Sequence, residues 1–275
     1  RVMHGDSLEA LPTRSPVASR MALILGTATS KAARDIKDNM VTIAAYDLGV
    51  EKNHVEYSDG EFSVRGDPRR KLAWEEICHI AHKQFHRMPP GHELGLKSYA
   101  VQQVPGGGEM PDDKNEVPLY PCFSFQAHVP LVEIDPETGK VKIHDYIIAH
   151  DCGTAINPDI VRGMIIGGVA HGIGAALYEK FEYDADGQLL AGTFVDYLLP
   201  SAHEIPNVTD VEHCTPSPMT SLGQKGSGEG GYLGAPAAIA SAVNDALAPH
   251  GIEINELPIR ARDIEAALYA KTKEQ

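Results

Sequence analysis

An α+β fold of hairpins and packed helices is the class that this 275-residue sequence predicts. Three observations carry it. Apolar residues recur at helical spacing in Thr29–Val50, at Ala33, Ile36, Met40, Ile43 and Ala44. Alternating runs flank the dipeptides Asp59-Gly60 and Asp186-Gly187, whose residues suit tight hairpin turns. The order reads helix, hairpin, helix, strands, helix, hairpin, glycine loop, helix, which is not regular βαβ alternation.

Each element has a local signal. Ser30 offers a side-chain cap for the first helix and Gly49 a left-handed stop. The hairpin lies in "HVEYSDGEFSVRG". "RRKLAWEEICHIAHKQF", Arg69 to Phe85, reads as a second amphipathic helix. The stretch near 88–118 is rich in Gly and Pro and reads as a long surface excursion. "FSFQAHVPLVEIDPETGKVKIHDYIIAHDCG" gives two strands around the turn Pro136–Gly139. "NPDIVRGMIIGGVAHGIGAALYE" passes from loop to helix, and Gly167, Gly168, Ala170, Gly172 and Gly174 let another group come close to it. Pro236 sits in the first turn of the next helix. The last helix, Ile259–Lys271, turns Ile264, Ala267 and Leu268 inward. No internal repeat or low-complexity tract interrupts the chain, and residues 1–275 read as one domain.

Composition bounds the function. Hydrophobic residues at 43% and charged residues at 23% are ordinary for a globular chain. No apolar run approaches the roughly 20 residues of a membrane helix, and "RVMHGDSLEA" lacks a signal-peptide pattern. A net charge of -14 argues against a nucleic-acid partner, which calls for a basic face. Cys78, Cys122, Cys152 and Cys214 form no CxxC pair, so neither a disulfide framework nor an iron–sulfur ligand set is expected. Reduced thiols and a cytoplasmic location follow as expectations. His79 and His82 stand three apart on a helix but lack further close ligands for zinc.

One stretch raises a chemical question. "LGQKGSGEGGYLGAPAAIASAVNDAL", Leu222–Leu247, crowds glycines around a single acid, Glu229. Glycines bare the backbone N–H groups, which suits an anion, yet a carboxylate there would repel a phosphate. The spacing fits neither GxxxxGK[ST] nor a GxGxxG after a strand. The loop reads either as a surface turn with a solvated acid or as a general base beside a cofactor held by backbone groups. The second glycine-rich segment, 150–177, points to a bulky ligand between the two. Cys152 is either a core thiol or a ligand, and His171 either a hydrogen-bonded helix residue or a catalyst.

Taken together, "ASRMALILGTATSKAA" (Ala18–Ala33), "AHDCGTAINPDIVRGMIIGGVAHGIGAALYE" (Ala149–Glu179) and "GQKGSGEGGYLGAPAAIASAVNDAL" resemble the large subunit of the xanthine oxidase family of molybdenum hydroxylases. "VEYSDGEFSVRGDP" between them fits too. The resemblance covers essentially the whole chain in the same order. It matches the C-terminal part of that subunit, the second molybdenum-cofactor-binding domain. The family's upstream substrate-funnel and pterin loops have no counterpart here, so a split large subunit or a fragment of one is implied.

The resemblance also implies roles. Glu229 stands where the family's glutamate takes a proton from a molybdenum-bound hydroxyl that attacks an electron-poor carbon. Ala18, Ser19, Arg20 and Met21 match a loop that grips the pterin dinucleotide, with Arg20 on the diphosphate. Cys152 and Asn157 match the form found with molybdopterin cytosine dinucleotide. Lys225, Gly226, Ser227 and Gly228 line the pterin side of the base loop. His171 and Met164 stand where the family commonly has glutamine, the first of them near the molybdenum ligands. No residue of the chain is expected to touch molybdenum, because the sulfur ligands come from the pterin dithiolene. The implied activity is hydroxylation of an aldehyde or N-heteroaromatic carbon with water-derived oxygen. A non-catalytic assembly subunit, or a member doing reduction or hydration, are the alternatives. The implied partners are the other large-subunit piece, an iron–sulfur subunit and a flavin subunit carrying FAD.

Overall fold

The computed structural model describes residues 1–8, 17–103, 110–116 and 122–273. Where the sequence reads as one domain, the chain divides into two compact units. One comprises Arg1–Pro12 and Ile24–Val104, the other Thr13–Leu23 and Pro105–Gln275.

In the first unit, helix α1 (Met21–Leu48) starts well before the expected Thr29, its first three residues belonging to the second unit. Met21-Ala-Leu-Ile-Leu25 are mostly good helix formers, so the chain is helical before it reaches Ser30. Ser30 is therefore no cap; its hydroxyl accepts from Arg34 Nη2 one turn on, at 3.0 Å. Gly49 stops the helix as expected, with φ +63°. Strands β1 (Val55–Ser58) and β2 (Glu61–Val64) form the expected hairpin. Asp59 and Gly60 both have positive φ, as a type I′ turn requires. A third strand, β3 (Asp67–Ala73), replaces the start of the expected helix from Arg69. Pairing sets this: Leu72 lies opposite Phe62, and both enter the core. Helix α2 (Trp74–Lys83) then buries Ile77, Ile80 and Ala81 against Met40, Ile43 and Ala44 of α1. The Gly/Pro-rich stretch after Met88 holds neither helix nor ladder strand among its described residues; 104–109 and 117–118 lie outside them.

The second unit is built on β4 (Phe125–Ile134) and β5 (Val141–Asp151), antiparallel around the expected turn at Gly139. Helix α3 (Pro158–Leu177) follows, capped by Asn157, whose side chain accepts from Ile160 N at 3.1 Å. The chain returns to β6 (Asn207–Glu212), parallel to β5. This makes one βαβ unit, absent from the sequence reading because "NVTDVE" is too short and polar to announce a strand. The expected hairpin at Asp186-Gly187 turns there but pairs only through the bridge Tyr183↔Leu189. A single-turn helix α4 (Gly230–Leu233) precedes α5 (Ala235–Leu247), and α6 (Ala261–Lys273) ends the fold.

The core of this unit gathers Tyr146 and Ile148 of β5, Ile165, Val169 and Ile173 of α3, and Ile239, Val243 and Leu247 of α5. Each such aliphatic side chain contributes on the order of 1.5–3 kcal/mol by leaving water. At 20 residues and mean hydropathy 1.5, α3 is long and apolar enough to cross a membrane, contrary to the expectation that no run approaches that length. Its apolar character has a local cause: one face is the core, and glycine and alanine fill much of the rest.

Candidate active site around Glu229

Every residue singled out from the sequence as catalytic or cofactor-binding falls in the second unit. Three segments meet there: the turn at 17–21, the end of β5 with Asp151-Cys152-Gly153, and the glycine loop 222–231.

The glycine loop is anchored at its root. Lys225 N–H donates to the Cys152 carbonyl at 2.7 Å, and Thr154 N–H to the Gly223 carbonyl at 3.1 Å. Gly153 has φ +65°, and a Cβ there would collide with the Gly223 carbonyl oxygen. The Lys225 ammonium is buried, donating to Asp151 Oδ2 at 2.8 Å and to Thr215 Oγ1 at 2.7 Å. Asp151 also accepts from Gly153 N, from Thr215 N and from the Thr215 hydroxyl. Burial alone would raise the Asp151 carboxyl; the hydrogen bonds from Lys225, Thr215 and Gly153 outweigh it and hold it well below the usual carboxylate range. Lys225 is thus a structural cation, with its charge spent within the protein. Cys152 is buried, and burial pushes its thiol pKa up, which suits a core thiol.

Beyond the root the loop is bare. The N–H groups of Gly226, Ser227 and Gly228 make no hydrogen bond among the described residues. A Cβ on Gly226 would collide with the Ser19 carbonyl oxygen, so the loop and the Ala18-Ser19 turn are in backbone contact. Gln224 Nε2 reinforces this, donating to the Ala22 carbonyl at 3.0 Å. Glu229 follows, exposed, with its N–H donating to Ser19 Oγ at 2.9 Å and its Oε2 accepting from the same hydroxyl at 2.7 Å.

The expected ligand space between the two glycine-rich segments is filled by the segments themselves. A Cβ on Gly168 would lie 2.8 Å from the Gly231 backbone, and one on Gly172 would collide with Ala235. Gly168 and Gly172 of α3 serve helix packing against α4 and α5. Asn157 is occupied as the α3 cap. His171 is exposed and stacks on Tyr232, with centroids 4.3 Å apart and planes 23° apart. Met164 is exposed on the same helix.

Residues not singled out from the sequence complete the floor. Gln126 lies under Gly230, and His128 under Gly234, where a Cβ would meet its Nε2 at 2.7 Å. His128 Nδ1 pairs with the Tyr146 hydroxyl at 2.9 Å; burial draws its imidazole pKa down, opposed by a Gly230 backbone group. Asp151 and Thr215 also belong to this set. Asp151 lies 74 positions before Lys225, and nothing in the spacing marks the pair.

The arrangement offers a fixed, solvent-facing carboxylate beside three backbone N–H groups that make no hydrogen bond among the described residues. It can accept a proton and donate hydrogen bonds to a polar group.

Residues 1–206 match the family model described as the molybdopterin cofactor-binding domain, ending short of the glycine loop. The large subunit of nicotine 6-hydroxylase from Paenarthrobacter nicotinovorans is 35% identical over 255 residues, 92% of this chain and 29% of that protein. The carbon monoxide dehydrogenase large chain of Hydrogenophaga pseudoflava is 32% identical over 258 residues, 94% of this chain and 30% of its own. The crystal structure of the Cu,Mo-CO dehydrogenase in its carbon monoxide reduced state is similar at TM-score 0.81 and 30% identity, over 92% of this chain and 30% of that one. Quinoline 2-oxidoreductase from Pseudomonas putida 86 gives TM-score 0.78 and 32% identity, again over 92% and 30%. The chain therefore spans about 30% of the length of the relatives it matches.

Proposed function

This chain belongs to the molybdopterin cofactor-binding domain family, and we propose that it is the part of a molybdenum hydroxylase large subunit that carries the general base, Glu229. The observation that carries the reading is the exposed Glu229 carboxylate, fixed by Ser19 at the edge of a loop whose N–H groups at 226–228 are unpartnered. Those donors suit the pterin side of the cofactor, whose ring heteroatoms accept hydrogen bonds without bringing an anion against Glu229. Gly226 and Gly228 let the Ser19 turn come close to the loop, that turn, Ala18–Met21, flanks the cofactor, and Arg20 is the cation we assign to the diphosphate. Lys225 contributes its backbone only, because its ammonium belongs to Asp151. Cys152 and Asn157 act through the geometry they impose, one at the loop root and one at the head of α3. His171, stacked on Tyr232, borders the site.

Bound molybdenum cofactor would supply the two-electron acceptor and the oxygen-transfer chemistry. Glu229 would remove the proton that this chemistry releases. A base performs this only within hydrogen-bond reach of its substrate proton, and the two bonds to Ser19 hold it at one place. We assign the cofactor its cytosine dinucleotide form, the substrate an aldehyde or N-heteroaromatic carbon, and the electron path to iron–sulfur and FAD-bearing partners. The rest of a large subunit completes the walls around Glu229, in a cytoplasmic complex.

Two measurements test this. Metal and nucleotide analysis of the chain purified with its native partners should give near one molybdenum per copy and release CMP on acid hydrolysis. In that complex Glu229→Gln should keep the molybdenum and lower turnover by roughly 10²- to 10⁴-fold. Normal turnover by the variant would remove Glu229 from the chemistry, and an intact complex without molybdenum would favour a non-catalytic assembly subunit.

A further inference from the structure

The Ser19 hydroxyl accepts the Glu229 N–H at 2.9 Å and donates to Glu229 Oε2 at 2.7 Å. One oxygen thereby fixes both the backbone and the carboxylate of the same residue. A hydroxyl has a single proton to give, and at Ser19 it goes to Glu229. The hold is built against local preference. Ala18 and Ser19 have φ +57° and +56°, the left-handed region that residues with a Cβ seldom enter and that concentrates at functional sites. Gly226 has no side chain where the Ser19 carbonyl lies, since a Cβ there would collide with its oxygen, and Gly228 lies within contact distance of the Ser19 hydroxyl. The Gln224 side chain ties Ala22 to the same loop.

We propose that Ser19 is a positioning residue for Glu229. It holds Oε2 and leaves Oε1, which makes no hydrogen bond among the described residues, as the oxygen that receives the proton. This rests on the reading of Glu229 as the base. It also withdraws the Ser19 side chain from the grip on the pterin dinucleotide that the family resemblance assigns to it.

The test uses the full 275-residue chain labelled with ¹³C at the glutamate Cδ. The Glu229 carboxyl resonance is the one missing from the Glu229→Gln spectrum. Ser19→Gly removes the hydroxyl and relieves the left-handed backbone, so the variant keeps its fold. Its Glu229 resonance should move while the other glutamates stay in place. Exchange of the Glu229 amide should rise at least about tenfold with no fall in the thermal midpoint. Ser19→Ala, which keeps a Cβ and removes only the hydroxyl, should lose the same protection and move the same resonance. An unmoved Glu229 resonance with unchanged amide protection in Ser19→Gly would overturn the proposal. So would a general rise in exchange across the unit, which is what a merely structural residue produces. Molybdenum content of the complex with native partners separates the two readings. Its absence from the unmodified complex removes the base assignment while leaving the Ser19 bonds measurable. Its loss in Ser19→Gly with Glu229 signals unmoved returns Ser19 to the cofactor.

Discussion

Lys225 carries the lesson of the residue scale. A lysine in a glycine loop reads as a cation offered to a ligand, but its ammonium is buried against Asp151 and Thr215. Removing one partner of a buried pair leaves the other charged and uncompensated, which costs about 3–5 kcal/mol. Lys225→Met should therefore lower the unfolding free energy of the second unit, read from its urea transition, by that order, and Lys225→Met with Asp151→Asn should recover part of it. The pair also has a pH signature. The Asp151 carboxyl lies below its ordinary value of 3.8 in the folded chain, so its contribution is complete above that value. It is lost as pH falls further, because the unfolded chain then takes up a proton that the folded chain refuses. The acid limb of the stability curve below about pH 4 should flatten in the double variant. An unchanged urea midpoint in Lys225→Met, together with lost cofactor, would reverse the assignment and make Lys225 a cofactor ligand. None of this was legible from residue types alone, since sequence spacing does not reveal that Asp151, 74 positions away, meets Lys225.

At the scale of elements, the sequence was most informative where a local rule governs. Asp59-Gly60 and Gly49 adopt the backbone their residue types favour, and the β4–β5 turn follows from its composition. It was least informative where pairing decides. β3 became a strand because Leu72 had Phe62 to face, and β6 because β5 had a free edge. The glycines of α3 show both sides of this. Their presence announced a close approach, but not what approached. Gly168 and Gly172 meet α4 and α5, while Gly163 and Gly167 have nothing within 4 Å of an added Cβ. The two sets should therefore respond oppositely to alanine. Gly168→Ala forces apart α3 and the Gly231 backbone and should cost about 1–3 kcal/mol. Gly167→Ala adds helix propensity on an open face and should gain about 0.5–1 kcal/mol. Urea denaturation of both variants decides it. A loss at Gly167 of the same size as at Gly168 would mean that the open face is covered in the folded chain.

The whole molecule is two cores in one chain. The first closes around Phe62, Ile43, Ile77 and Ile80, the second around Tyr146, Ile165, Ile173 and Ile239. The sequence did not show this division, because periodicity marks which residues are buried without saying which are buried together. The candidate site nevertheless falls wholly within the second unit, and the turn that touches Glu229 is counted with it although most of α1 belongs to the first. Damage to the two cores should then read differently at the site. Ile80→Ala leaves a cavity in the first core at about 2–5 kcal/mol, and Ile239→Ala does the same in the second. Hydrogen exchange followed by peptide mapping should show Ile80→Ala loosening peptides from α2 and β2 while the peptide across 222–233 keeps its protection. Ile239→Ala should loosen that peptide together with those of α3 and α5. Equal loosening of 222–233 in both variants would mean that the units open as one cooperative body, and that the loop holding Glu229 draws its order from both cores.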